Sequence, residues 1–170
     1  QNHGGEMNTS DFEKRLRASA KSNGDFFCIE TYSGRGITMR DPEGKQHLRR
    51  PDAGDETLGV AVLDALAHSR SPEEDPTLYD FRLAQGRQAE WITKLTTAYG
   101  YKTKRALFKN MKSCNIECSG ALITIRPTRH ERLDGWSGDG FSDEDNVVIP
   151  ADSPPAAVGA ALRLAFSRCT

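Results

Sequence analysis

The chain has 170 residues, of which 36% are apolar and 28% charged, and its formal net charge at pH 7 is −1. This length fits one domain with a sizeable core, and the composition excludes a disordered or membrane-spanning chain. Four cysteines are too few for a disulfide scaffold. Because the N-terminus also lacks the apolar segment of a signal peptide, we expect a cytoplasmic protein with free, buried thiols. Residues 1–6 are expected to be an expression leader before Met7, and residues 7–170 a single domain.

The first predicted element is a helix that begins at a capping box of Ser10 and Glu13. Three apolar residues follow at helical spacing before an Asn-Gly pair: Phe12, Leu16 and Ala20. Strands are predicted over 25–32, 37–40 and 45–50, with turns at Ser33-Gly34 and at "DPEG". A helix after "DAGDE" is predicted by a stripe of apolar residues: Leu58, Ala61, Val62, Ala65 and Leu66.

Prolines predict a loop across "SRSPEEDPT". The next helix is predicted over 85–99, with Gly100 as its natural end. It is expected to bury Trp91, Ile92, Leu95 and Tyr99. A short basic helix is predicted within "TKRALFKNMKS".

The second half of the chain repeats the first. "CIETYSGRGITMR" and "CNIECSGALITIR" share Cys, Ser, Gly, Ile, Thr and Arg at one offset, and "LGVAVLDAL" corresponds to "VGAALRLAF". "NVVIP" predicts a strand, and the final helix is predicted to start at Ser153 and to bury Val158, Ala161, Leu162 and Ala165. The prediction is an α+β fold in which two related βββα halves share a mostly antiparallel sheet with helices packed on it. In that arrangement Ile37 and Ile123 should be buried equivalents.

Charge is segregated along the chain. Residues 94–112 contain six bases and no acid: Lys94, Lys102, Lys104, Arg105, Lys109 and Lys112. Residues 134–145 contain five acids and no base: Asp134, Asp139, Asp143, Glu144 and Asp145. Opposed charged faces bear on partners rather than on fold.

No active site is visible in the sequence. Cys114 and Cys118 lie four positions apart, which on a strand is roughly 13 Å and too far to share a metal. A nucleophile could be drawn from Cys28 or Cys114 with a histidine, but strand cysteines among apolar neighbours are usually inert. The available histidines are His47, His68 and His130. We expect neither a cofactor nor enzymatic activity.

Four blocks carry a family resemblance: "DETLGVAVLDALAHSR", "YGYKTKRALFKNMKSCNIE", "ITIRPTRHERLDGWSGDG" and "VVIPADSPPAAVGAALRLAFSRC". They resemble the contact-dependent growth inhibition (CDI) immunity proteins, small cytoplasmic proteins of bacterial competition encoded beside a delivered toxin. The resemblance covers about residues 33 to 169. It implies a non-enzymatic role: binding the cognate C-terminal toxin domain of the CDI effector and neutralising it.

The acidic segment is the predicted contact for that partner. Many delivered toxins are nucleases, whose basic phosphate-binding cleft attracts carboxylates. Trp136 is expected to be structural, whereas Phe141 and the acids from Asp139 onward, with Asp134 beside them, are the residues expected to touch the toxin. The equal alternative is a solvated loop whose aromatic residues cap the core. A second acidic loop provides the next candidates: Glu73, Glu74 and Asp75. The alternative from another class is nucleic-acid binding by the basic segment with Tyr99, Tyr101 and Phe108, although the domain's pI of about 6.5 opposes it.

Overall fold

A computed structural model describes residues 15–170, so the predicted leader and the predicted capping box lie outside the described residues. The strands are β1 (Leu16–Ser22), β2 (Phe27–Arg35), β3 (Ile37–Arg40), β4 (Gln46–Arg49), β5 (Lys112–Ser119), β6 (Leu122–Pro127), β7 (Arg129–Arg132), β8 (Gly135–Ser137) and β9 (Val147–Pro150). The helices are α1 (Asp55–Ala67), α2 (Phe81–Tyr99), α3 (Lys104–Phe108) and α4 (Pro155–Arg168). Short 3₁₀ turns cover Pro72–Glu74, Pro76–Tyr79 and Asp143–Asp145.

Seven strands form one antiparallel sheet in the order β3-β2-β1-β5-β6-β9, and β4 also pairs with β2. The strands β3 and β4 pair with successive halves of the long strand β2. A separate hairpin, β7–β8, which the sequence did not predict, lies between the second and third strands of the second half. The predicted α+β class with a mostly antiparallel sheet is confirmed.

The helix predicted across Leu16 and Ala20 is wrong for the described residues, because Leu16–Ser22 is a strand at the centre of the sheet. Ala18 and Ala20 enter the apolar core, while the alternate residues Ser19 and Lys21 are buried on the opposite face. That alternation has the period of a strand. Pairing with β2 on one side and β5 on the other outweighs the weak helical preference of a short segment.

One face of the sheet is covered by α1 and α4. The two predicted stripes are fully confirmed, since Leu58, Ala61, Val62, Ala65 and Leu66 of α1 and Val158, Ala161, Leu162 and Ala165 of α4 are all buried. They pack on Ile29 of β2, Ile116 of β5 and Ile123 of β6. The predicted start of α4 is wrong: Pro154 is its N-cap, and the Ser153 hydroxyl donates to the Pro150 carbonyl at 2.6 Å.

The other face is covered on one side by α2 and α3. Trp91, Leu95 and Phe108 form a second core with Cys28 of β2. Three details of α2 differ from the prediction. The helix begins at Phe81 rather than at residue 85, because the Asp80 side chain caps its first turn. Ile92 is only partly buried, and Tyr99 is exposed at the edge of the helix, stacked on Phe26 at 4.3 Å between ring centroids. Gly100 ends α2 with φ +71°, as the sequence predicts.

The repeat holds for the helices but not for the strand register. Ile123 is 1% exposed, whereas Ile37 is 75% exposed, so the two are not buried equivalents. The first Ser-Gly pair lies inside β2, and the tight turn falls at Gly36, with φ +73°. In the second copy Gly120 does lie in the turn. A shifted register sends matching side chains to opposite faces, and Ile37 therefore lies at a hairpin tip.

Candidate partner-binding surfaces

The acidic segment forms an exposed loop between β8 and β9. Asp139, Asp143 and Glu144 are exposed, and among residues 15–170 their side chains make no ion pair. Asp145 has a structural role, because its carboxylate accepts the Ser142 backbone N–H at 2.8 Å and closes the 3₁₀ turn. The exposed carboxylates of Asp139, Asp143 and Glu144 therefore face solvent, next to a turn that is closed by Asp145.

Asp134 and Trp136 of this segment make contacts within the molecule, whereas the ring of Phe141 is available. Asp134 pairs with Lys104 at 3.1 Å. Trp136 stacks on His130 and donates its indole N–H to the Met111 carbonyl at 3.0 Å, a structural role that fits the expectation. Phe141 is partly exposed, and its backbone N–H donates to Gly138. The segment thus presents one available aromatic ring beside its carboxylates.

The second acidic loop is largely occupied by bonds within the molecule. Glu73 pairs with Arg35 at 2.9 Å, and the Glu74 carboxylate caps the Ser71 backbone at 3.1 Å. Hydrogen bonds from Thr77 lower the pKa of Asp75, which also pairs with Arg70 at 3.1 Å. These acids hold the chain from β2 to α2 in place and have less freedom to meet a partner.

The two acidic groups lie at opposite edges of the sheet. The second loop reaches the β2–β3 turn through Arg35, whereas Asp145 immediately precedes β9. Four strand spacings separate β2 from β9, which corresponds to roughly 20 Å. The structure therefore does not combine the two sets of candidates into one surface.

A cleft that the sequence did not predict opens on the sheet face opposite α1 and α4. It has a volume of about 380 Å³. Its walls are α2 and the β7–β8 hairpin, and its floor is formed by β1, β2 and β5. The lining includes Lys21, Tyr32, Arg40, Trp91, Asn115 and Trp136, and Asp134 lies at its rim. A concave site between elements, in which aromatic side chains lie beside a few fixed polar groups, is a usual form of a binding site.

Charged side chains on this face are buried and held in fixed positions. The Glu30 carboxylate accepts a hydrogen bond from the Trp91 indole at 2.9 Å and forms an ion pair with Arg40 at 3.0 Å. The Arg40 guanidinium lies over the Trp91 ring. The Lys21 ammonium, 6% exposed as a residue, contacts the Tyr32 hydroxyl and lies over the Tyr32 and Trp136 rings. Among residues 15–170 no carboxylate lies within ion-pair distance of it. A buried cation without a counter-charge is costly, and here hydrogen bonds to Ser19 and Tyr32 and the two aromatic rings offset part of that cost.

Next to the cleft, Glu117 pairs with Arg17 at 2.6 Å and with Arg126 at 3.0 Å. Arg15 also approaches it at 3.5 Å. Cations therefore outnumber carboxylates on this sheet face, the reverse of the acidic loop. The signal was present in "LRASAKS", since alternating charged and small residues predict a half-buried strand. Because that segment was wrongly predicted as a helix, its strand pattern was not used.

The six bases of residues 94–112 do not form one continuous surface. Lys94 contacts Gln46 of β4, and Lys104 pairs with Asp134. Lys112 donates to the Phe166 carbonyl of α4. Of the aromatic residues proposed to stack on bases, Phe108 is buried. The arrangement gives little support to a nucleic-acid groove, which needs aligned charge and open rings.

The cysteines lie outside any catalytic arrangement of the described residues. All four are free; Cys28 and Cys114 are buried as predicted, whereas Cys118 and Cys169 are half-buried. Burial raises the pKa of Cys28. The histidine rings within residues 15–170 bond elsewhere, His47 to Asp64, His68 to a backbone carbonyl of α1 and His130 to the Leu133 carbonyl. Within residues 15–170, no group of three or more potential ligands is arranged around a metal position, and no helix is long and apolar enough to span a bilayer.

Comparison with known proteins decides the family. The family model of the CDI immunity protein matches residues 16–169, nearly all of the chain. The chain belongs to the CDI immunity protein family.

Two relatives of this family give the comparison its detail. The chain is 50% identical over 174 aligned positions to the immunity protein CdiI-YPIII of Yersinia pseudotuberculosis serotype O:3 (strain YPIII), covering 94% of this chain and 98% of that protein. A solved CdiA-CT/CdiI toxin and immunity complex from Y. pseudotuberculosis contains a chain with 50% identity and a TM-score of 0.88, covering 92% of this chain and 98% of that one. The fold also matches a protein of unknown function, NMB0488, from Neisseria meningitidis, with 38% identity and a TM-score of 0.86 over 93% and 97% of the two chains.

Membership in the CDI immunity family agrees with the resemblance seen in the sequence. The matched range contains both acidic groups and the whole cleft. The family assignment alone does not select one of these surfaces, so the choice between them rests on their geometry and charge.

Proposed function

We propose that this protein binds the cognate C-terminal toxin domain of a CDI effector and neutralises it in the cytoplasm, without catalysing a reaction itself. The observation that carries the proposal is the 50% identity, over nearly the full length of both chains, to an immunity protein of Yersinia pseudotuberculosis. The solved relative in a toxin and immunity complex supports the same type of partner.

We further propose that the toxin is a nuclease, most simply an RNase, and that the immunity protein occludes its active site. A nuclease binds phosphates through basic side chains, so a carboxylate-rich loop can occupy that region and compete with substrate. Opposite potentials also speed encounter, toward about 10⁸ M⁻¹s⁻¹. Fast capture suits an inhibitor whose target damages the cell with each turnover.

The acidic loop is the proposed contact because its outer charges are available. Asp139, Asp143 and Glu144 are exposed, whereas Glu73, Glu74 and Asp75 are engaged in internal bonds. Phe141 beside them offers an apolar anchor of the kind that dominates binding energy. Asp134 contributes less, since it is paired with Lys104.

The cleft is the competing contact surface. Its Lys21 ammonium has no carboxylate partner among residues 15–170, and arginines lie nearby. These cations would select an acidic or hydrogen-bond-rich element of a partner rather than a basic one. The acidic loop would bind a basic surface of the toxin, whereas the cleft would bind an acidic one. Charge changes on either surface can therefore distinguish the two modes of binding.

The test is co-purification of the full chain with candidate CDI toxin domains, followed by a nuclease assay on RNA and DNA. We expect a stable complex with the cognate domain, and loss of its activity at one equivalent of immunity protein. A complex that retains full nuclease activity would contradict active-site occlusion, and the absence of a complex with the domain encoded beside this protein would contradict the proposal as a whole.

Nucleic-acid binding by residues 94–112 is the alternative function. Exposed Lys102, Arg105 and Lys109 are the features that favour it. Binding of generic RNA with a steep salt dependence would support it, because phosphate contacts release counterions. No retention of the protein on RNA, even at low salt, is expected if it acts only on its toxin partner.

A further inference from the structure

We propose that Cys114 and Cys169 are a reactive thiol pair that forms an intrachain disulfide on exposure to a low-molecular-weight disulfide such as glutathione disulfide. Their sulfur atoms lie 3.6 Å apart although the residues are separated by 55 positions. A disulfide needs sulfurs at about 2.05 Å, so the pair has to close by roughly 1.5 Å. Small side-chain rotations supply movements of that size.

The proximity is fixed by the fold. Cys114 is in β5 beneath α4, and Cys169 is the C-cap of α4. The residue after Cys169 is tied into the structure, because the Thr170 N–H donates to the Thr128 carbonyl at 3.1 Å and its carbonyl accepts the His130 N–H at 2.9 Å. The Cys169 sulfur also approaches the Ser113 carbonyl at 3.5 Å. The C-terminus therefore holds the second thiol over the first.

The two thiols have different accessibility and acidity. Cys114 is fully buried, whereas Cys169 is half-buried and can be reached by a small reagent. A hydrogen bond from the Cys114 thiol lowers the pKa of Cys169 to about 7, and the Lys112 ammonium acts in the same direction. Lys112 also offsets the negative end of α4, since it donates to the Phe166 carbonyl. Donating that bond, together with burial, raises the pKa of Cys114.

These differences assign the order of the two exchange steps. The Cys169 thiolate attacks a disulfide RSSR, forms a mixed disulfide and releases RS⁻. Cys114 then loses its proton to solvent or to the released thiolate and attacks the Cys169 sulfur. The protein disulfide forms as the second RS⁻ leaves and is protonated. In total the protein gives up two electrons and RSSR becomes two RSH.

The cross-link would affect the wall of the cleft. It would join the end of α4 to β5, while Thr170 holds His130 of β7 and His130 stacks on Trp136 at the cleft. This consequence concerns the surface described above, but the reaction itself does not depend on the proposed toxin partner. Failure of one can therefore be told apart from failure of the other.

The experiment uses the full chain, reduced and then incubated at pH 7.5 with glutathione disulfide in excess. Free thiols are then alkylated under denaturing conditions, and the intact and proteolysed masses are measured. We expect the number of alkylated cysteines to fall from four to two, with one peptide pair linking Cys114 to Cys169. The melting temperature of the oxidised form should rise by about 5–15 °C, as closure of a long loop predicts.

Single variants provide the controls. Cys118→Ser removes a half-buried thiol from β5, the strand that also contains Cys114, and this variant should cross-link as the wild type does. Cys169→Ala, at the half-buried end of α4, should keep its fold and form no cross-link. Cys114→Ala should stop at the mixed disulfide on Cys169 if it folds. A wild-type protein that retains four free thiols, that stops at the mixed disulfide, or that links a different pair of cysteines would overturn the proposal.

Discussion

Gly59 of α1 and Gly159 of α4 occupy reciprocal positions where the two helices cross. A Cβ atom on Gly59 would lie 1.7 Å from the Pro155 carbonyl oxygen, and a Cβ on Gly159 would lie 1.8 Å from the Asp55 carbonyl oxygen. Each glycine therefore lies against the first residue of the other helix. The reciprocal contacts show that the two helices of the internal repeat are packed in equivalent ways. The close crossing allows both helices to lie on one face of a single sheet.

We expect Gly59→Ala and Gly159→Ala each to destabilise the protein by about 1–3 kcal/mol, because the added methyl group meets fixed backbone and the helices must move apart. The matched control is Gly86→Ala, within α2, where an added Cβ meets nothing within 4 Å. That change should stabilise by about 0.5–1 kcal/mol. Urea denaturation measures all three, and equal effects at Gly59 and Gly86 would contradict the close crossing.

Truncation of the two repeat isoleucines should give very different results. Ile123→Ala removes a buried side chain from beneath α1 and α4 and should cost about 2–5 kcal/mol. Ile37→Ala alters an exposed hairpin tip and should change the free energy of unfolding by less than about 0.5 kcal/mol. Comparable losses at both positions would show that Ile37 is buried in solution.

Asp41 should make the fold sensitive to acid. Burial alone would raise the pKa of Asp41, but hydrogen bonds from Arg70 and Ser33 outweigh it and hold the pKa below the ordinary value of 3.8. The unfolded chain then binds this proton more readily than the folded one. The contribution is complete above about pH 5, and it is lost as pH falls through the lowered pKa.

Asp41→Asn tests this contribution. The variant should be less stable at pH 7 by about 1.5–3 kcal/mol and should lose less further stability between pH 5 and pH 2 than the wild type. Asp139→Asn, at an exposed acid, is the control and should follow the wild-type curve. Thermal melts across this pH range are the measurement. Parallel curves for wild type and Asp41→Asn would refute the assignment.

Charge reversal in the acidic loop tests the proposed interface. We expect Asp143→Lys with Glu144→Lys to leave the melting temperature nearly unchanged and to slow association with the toxin domain, most strongly at low salt. Asp145 is better left in place, because its carboxylate closes the turn through Ser142. Surface plasmon resonance at two salt concentrations gives both rates.

Three comparison variants locate the interface if that result fails: Phe141→Ala, Lys21→Met and a charge reversal of Glu73 with Glu74. Phe141→Ala should weaken binding by about 2 kcal/mol or more if the ring is an anchor. Lys21→Met keeps an unbranched chain and removes the buried charge of the cleft. Full affinity in the loop variants, with loss in Lys21→Met, would place the toxin in the cleft. Loss only on reversal of Glu73 and Glu74 would place it at the opposite edge of the sheet.

Local patterns were sufficient for α1 to α4, although they wrongly predicted a helix across Leu16–Ser22. The stripes of α1 and α4, the αL end of α2 at Gly100 and the basic helix α3 all follow from spacing and capping within one segment. The family blocks are likewise contiguous in the sequence, and the family they indicated is confirmed. The order of strand, hairpin and helix in each half could be read in the same way.

What the sequence alone determined is therefore the position of α1 to α4, the fold class and the family, because each depends on residues that are neighbours along the chain. Only the tertiary structure decided that Leu16–Ser22 is a central strand, that Ile37 lies outside the core, that Lys21 is buried in a cleft and that Cys114 meets Cys169. Each of these depends on a strand pairing or a contact between distant segments. A shift of one residue in such a pairing reverses the faces, and no local pattern in this chain fixes the register.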